Sequence, residues 1–188
     1  MSFDDQGFLV VKNYLEKDFV SFIKRYFDIL IAAGYSTKGD SQVDNAHCFY
    51  SDPLVETILS DSCQPLSELT GVSLLPTYSY TRKYLKGDEL EIHQDRESCQ
   101  ISATLSLAIP EGQKISPIYF SKNKDGTDAV EILLEPGDLC IYRGCDLWHW
   151  REPFEQPWYL QAFLHYVDAN GPYKKMIYDK RPCLAIPR

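Results

Sequence analysis

The chain has 188 residues, 44% of them hydrophobic and 13% aromatic, with 27 acidic against 19 basic residues and a formal net charge of −8 at pH 7. That length and apolar content suit one domain with a real core and exclude a disordered or fibrous chain. No run of basic residues is longer than two, so neither nucleic acid nor an anionic membrane is an expected partner.

The start, Met-Ser-Phe-Asp-Asp, lacks a basic region followed by an apolar run, and no stretch approaches the length of a membrane span. The expected location is the cytoplasm. Six cysteines (Cys48, Cys63, Cys99, Cys140, Cys145 and Cys183) include no Cys-x-x-Cys, and they read as reduced, buried thiols rather than a disulfide framework or a zinc knuckle.

In chain order, Phe8-Leu9-Val10-Val11 is a short apolar strand. Leu15, Phe19, Phe22, Ile23, Tyr26, Phe27 and Leu30 then recur at spacings of three and four, one face of a helix that Gly34 closes. Asp52-Pro53 opens a second helix with a capping residue and Pro at its first turn. A third short helix is expected from near Pro65 to Thr70, ending at Gly71.

Beyond that point the period falls to two. Strands are expected over Thr77–Leu85, Glu89–Asp95, Gln100–Ala108, Ile115–Ser121, Val130–Leu134, Leu139–Arg143, Leu147–Arg151 and Trp158–Val167, separated by turn clusters such as Lys86-Gly87-Asp88 and Pro136-Gly137-Asp138. Short strands after a helical lead-in predict a mainly β, α+β fold, a double-stranded β-helix or jelly roll with N-terminal helices packed on one sheet. The chain reads as a single domain over residues 1–188, with helical support over 1–72, the jelly-roll core over 73–169 and a C-terminal tail over 170–188.

Only four histidines are present: His47, His93, His149 and His165. His93-Gln94-Asp95 sets an imidazole and a carboxylate two apart, and in extended backbone such side chains point the same way. His149 follows after about four strands, a separation at which a jelly roll returns to the neighbouring strand. Two imidazoles and a carboxylate on one face leave open octahedral positions, the arrangement that suits non-haem Fe(II). Read as structure only, a His-x-Asp tripeptide is an ordinary surface pair; the strand pattern and the distant second His weigh against that. His165 reads as a core histidine with a satisfied hydrogen bond, and His47 as peripheral.

The segment from Tyr80 through His93-Gln94-Asp95 resembles the first ligand region of the 2-oxoglutarate/Fe(II) oxygenases, closest in type to the prolyl 4-hydroxylase-like branch. Pro136-Gly137-Asp138-Leu139-Cys140-Ile141-Tyr142-Arg143-Gly144, followed by His149, resembles the second, and Ile101–Leu107 the strand between. The resemblance implies His93, Asp95 and His149 as iron ligands and catalytic centre, with 2-oxoglutarate as co-substrate, O2, and ascorbate as reductant. It also implies hydroxylation of an unactivated C–H of a small molecule or peptide, with release of succinate and CO2. Related halogenases lack the carboxylate that Asp95 supplies.

The family normally has a basic residue on the strand after the second His to pair with the distal carboxylate of 2-oxoglutarate. Here that strand carries Trp158-Tyr159-Leu160 and no Arg or Lys. Arg82 is the first substitute, sharing a face with Tyr80 and Tyr84. Tyr84 and Thr104 are expected to add hydroxyl hydrogen bonds. Arg143 and Arg151 are rivals to Arg82, and Arg96 a weaker one. The absent basic residue keeps a second reading in view, a cupin-like metal-binding jelly roll without 2-oxoglutarate turnover.

Overall fold

The computed structural model describes residues 2–186. Its helices are α1 (Phe3–Gln6), α2 (Lys17–Ala32) and α3 (Pro53–Thr70), and its strands begin with β1 (Phe8–Val11), β2 (Thr37–Lys38) and β3 (His47–Tyr50). They continue as β4 (Leu74–Leu85), β5 (Leu90–His93), β6 (Ile101–Ala108), β7 (Ile118–Ser121), β8 (Val130–Ile132), β9 (Leu139–Arg143), β10 (Trp148–Arg151) and β11 (Trp158–Asp168). All eight expected strands are present: β6, β7, β8 and β10 are shorter at one end and β5 at both, β9 has the expected bounds, and β4 and β11 are longer at one end.

The strands form two antiparallel sheets, one of seven strands in the order β1-β9-β6-β11-β4-β3-β2 and one of four in the order β5-β10-β7-β8. This is the jelly roll the period-two pattern predicts. Its logic is clearest in β6, buried at every position. Ile101, Ala103, Leu105 and Leu107 join a core with Ile23 and Phe27 of α2 and Leu59 and Leu66 of α3. The alternate residues, Ser102, Thr104 and Ser106, turn to the space between the sheets and are wholly buried there. One face of the large sheet is thus apolar and covered by helices, and the other lines a polar interior.

The helical expectation needs two corrections. The two helices expected around Asp52 and Pro65 are one: α3 runs unbroken from Pro53 to Thr70 with Pro65 inside it. The Asp52 side chain caps the first turn through Leu54 N at 3.0 Å, and packing of Val55, Leu59 and Leu66 against the sheet outweighs the hydrogen bond that proline removes. The first 72 residues also hold more strand than expected: β1 is the predicted Phe8–Val11 strand at one edge of the large sheet, and the unpredicted β3 and β2 extend the other. Residues 187–188 of the expected tail lie outside the described residues; the part before them is tied down. Arg181 pairs with Glu56 at 2.8 Å, both side chains buried, and Arg96 forks onto Asp179 at 2.9 and 3.0 Å.

None of the six cysteines is bridged; Cys48, Cys99 and Cys140 are buried, and only Cys183 is exposed. Among the described residues no helix is long and apolar enough to cross a membrane.

Candidate metal centre

β5 and β10 are neighbours in the small sheet, with His93 directly opposite His149. The rings stand 4.3 Å apart, centre to centre. Each Nδ1 is turned to a backbone carbonyl two residues back: Glu91 O at 2.8 Å for His93 and Leu147 O at 3.0 Å for His149. A carbonyl only accepts, so Nδ1 carries a hydrogen in each ring, and Nε2 is the atom left to ligate a metal when the ring is neutral.

Asp95 lies two residues beyond the end of β5, in a turn held by its amide donating to Gly144 O at 2.8 Å. Its Oδ1 faces both Nε2 atoms, 3.7 Å from His93 and 3.6 Å from His149. These separations are too long for hydrogen bonds, yet they suit ligand atoms each about 2.1 Å from a shared ion. His93, Asp95 and His149 offer one ligand atom each within 4.8 Å of one another. Burial alone would raise the Asp95 carboxyl, but the His149 and His93 imidazoles hold it well below the usual carboxylate range. For His93 burial acts downward, and the contacts with Asp95 and the Glu91 carbonyl reverse it, raising the imidazole above its ordinary value.

The other Asp95 oxygen is also fixed. Ser102 Oγ donates to Oδ2 at 2.7 Å and stands 2.9 Å from His165 Nδ1. Ser102 has one proton, and it goes to the carboxylate, so His165 donates from Nδ1. His165 is therefore the buried, hydrogen-bonded histidine expected, but it also lines the cavity beside the ligands, where burial pushes it down to about 4. Cys99 is within ligand distance of Asp95 and His165. Its thiol contacts Tyr78 Oη at 3.1 Å and burial drives it well above its ordinary value, which keeps it protonated and makes it a poor ligand.

A cavity of about 360 Å³ opens from His93, Asp95 and His149, lined by Tyr78, Tyr80, Arg82, Phe163 and Asp40 among others. Arg82 is brought to this cavity as the period-two argument placed it, but its guanidinium is engaged. One terminal nitrogen pairs with Asp40 at 2.5 Å and reaches Gln42 at 3.2 Å, and the other donates to Tyr84 Oη at 3.0 Å. Thr104 is interior and meets Gln161 Nε2 at 3.2 Å. Arg143 is not brought in: it alternates with inward-facing Tyr142, turns to the other face of β9, stacks on Phe3 and pairs with Asp4 at 2.6 Å. Arg96 lines the cavity rim and holds Asp179. His47 sits in β3 with Nδ1 2.9 Å from Ser36 Oγ.

Sequence reasoning passed over three contributors. Ser102 had a signal in the Ser-x-Thr-x-Ser alternation of β6. Gly144 had one in its place between the two ligand segments. Asp40 had none, because its loop is irregular and meets Arg82 only in three dimensions.

No family model and no curated protein sequence matches the chain. Its fold matches solved 2-oxoglutarate/Fe(II) oxygenases. A prolyl-4-hydroxylase of Pseudomonas putida superposes with a TM-score of 0.72 at 16% identity, covering 88% of this chain and 95% of that one. The α-ketoglutarate-dependent epimerase SnoN of nogalamycin biosynthesis gives 0.73 at 12% identity, over 89% and 80%. HygX of Streptomyces hygroscopicus, solved with nickel, 2-oxoglutarate and hygromycin B bound, gives 0.68 at 14%, over 89% and 85%. The chain thus has the jelly roll of the non-haem iron oxygenases, prolyl hydroxylases included.

Proposed function

We propose that the chain is an Fe(II)- and 2-oxoglutarate-dependent oxygenase that hydroxylates an amino-acid side chain or small metabolite. The observation that carries this reading is the facing of two Nε2 atoms and one carboxylate oxygen across 3.6 and 3.7 Å, on one side of a jelly roll. His93, Asp95 and His149 would hold the iron, which when bound with 2-oxoglutarate supplies the oxidising power for attack on a C–H bond. Ser102 keeps the Asp95 carboxylate turned so that a single oxygen faces the metal. Tyr78, Tyr80 and Phe163 wall the cavity and limit water at the reacting carbon. The rim is polar, with Asp40, Gln42, Gln94 and Arg96, which favours a substrate bearing hydrogen-bonding groups near the oxidised carbon.

The test is conversion of 2-oxoglutarate to succinate dependent on Fe(II) and ascorbate, with Asp95→Ala as the inactive control. No turnover with any candidate substrate, together with no 2-oxoglutarate binding to the Fe(II) protein without oxygen, overturns the reading. A metal-binding jelly roll without turnover would then stand, and the engagement of Arg82 by Asp40 is what favours it.

A further inference from the structure

We infer that Arg151 is the residue that receives the distal carboxylate of a 2-oxo diacid; the inference rests on the oxygenase reading above. Arg151 follows His149 by two residues in β10, so both side chains enter the space between the sheets. Their Cα atoms are about 6.6 Å apart along the strand. A five-carbon diacid bound to the metal by its 2-oxo end extends a comparable distance, four bonds of about 1.5 Å each.

Arg151 is 2% exposed, and its guanidinium carbon lies 5.4 Å from the centre of the Tyr159 ring. Nη1 donates to Ser116 O at 3.0 Å. Among the described residues, Nε and Nη2 have no hydrogen-bond partner. Arg82, Arg96, Arg143 and Arg181 each hold a carboxylate. Arg151, as deeply buried as any of them, holds none among the described residues. An arginine cannot shed its proton, and a buried charge without a counter-ion is costly. The two idle nitrogens form one side of the guanidinium fork, the pair that grips a carboxylate with two parallel hydrogen bonds.

The neighbouring interior is polar in the same sense. Gln161 touches Thr104 while its Oε1 also lacks a partner. Turned by 180°, its amide would accept from Thr104 and offer its NH2 to the ligand. Arg82, whose terminal nitrogens are already engaged, holds the Asp40 loop at the mouth instead.

Binding to the Fe(II) protein without oxygen decides the matter, read from the absorption of the metal–oxo-acid chelate. 2-Oxoglutarate and pyruvate, which lacks the distal carboxylate, are compared on the wild type, Arg151→Leu and Arg151→Lys. Arg151→Leu should bind 2-oxoglutarate at least ~30-fold more weakly and pyruvate within about 3-fold of wild type, closing the gap between the two acids. Arg151→Lys keeps the charge without the fork and should lose ~10-fold; it carries the test if the leucine variant does not fold. Wild-type 2-oxoglutarate affinity in a folded Arg151 variant overturns the inference and leaves the oxygenase reading intact. A wild-type protein that chelates pyruvate and 2-oxoglutarate equally overturns the inference too, and one that binds neither overturns both.

Discussion

The amide of Asp95 donates to the carbonyl of Gly144 at 2.8 Å, tying the turn after β5, which carries Asp95, to the turn that precedes His149. A Cβ added at Gly144 would collide with Cys99 O and Asp95 Oδ2 and lie 3.0 Å from Asp95 Cβ. The close approach is to backbone and to a ligand, neither of which can swing away. Gly144→Ala should therefore lower stability by ~1–3 kcal/mol and weaken metal binding, measured by thermal melting and Co(II) titration. Metal affinity equal to wild type would show that the two turns are independent.

Ser102 predicts a separable effect. Ser102→Ala removes the 2.7 Å donor to Asp95 Oδ2 without touching a ligand atom. Metal affinity should fall ~10- to 100-fold while the circular dichroism spectrum stays that of wild type. An unchanged titration would mean that the carboxylate is held well enough by its backbone.

Acid stability should follow two carboxylates outside the ligand set. Asp40 and Asp179 are both lowered to about 2: burial acts upward on each, and is outweighed chiefly by Arg82 for Asp40 and by Arg96 for Asp179. A folded-state value below the ordinary ~3.9 gives stability that is present above that value and is lost as pH falls from about 4 through about 2. Asp40→Asn and Asp179→Asn should each flatten the melting temperature against pH over that window. A slope unchanged in both variants would remove these pairs from the acid transition.

The buried Arg181–Glu56 pair, at 2.8 Å, fixes the C-terminal segment beneath α3. Arg181→Ala leaves a buried carboxylate without its counter-ion and should cost ~3–5 kcal/mol. The double change Glu56→Gln with Arg181→Met should cost less, and chemical denaturation measures both. A double variant as unstable as the single one would argue that packing, not charge, holds the segment.

What was legible in the sequence was what repeats or abuts. Period two gave the strands, the 3.6 period gave α2, and His93-Gln94-Asp95 with His149 stood out because few other histidines competed. Strand adjacency was legible too: β10 returns beside β5, setting His149 opposite His93. Contacts between irregular segments were not. The Asp40 loop has no periodicity, so its capture of Arg82 was invisible. Pro65 looked like a break because local preference knows nothing of the sheet beneath α3. Arg143 and Arg151 looked equivalent as residues, and only their opposite facing, in consecutive strands of different sheets, separates them.

The ligands His93 and His149 both stand on the four-stranded sheet, whose outer side shows the Tyr119–Trp150 stack and the exposed Glu131 and Glu152. The seven-stranded sheet is instead backed by α2 and α3. Amide exchange should reflect this asymmetry, with β6 and β11 slowest and β5, β7 and β8 opening at lower free energy. Loading the ion would join β5 to β10 through their side chains as well as their backbones, so protection should rise most in the thinner half of the roll. The thinner half of the roll is then the half that an ion would complete.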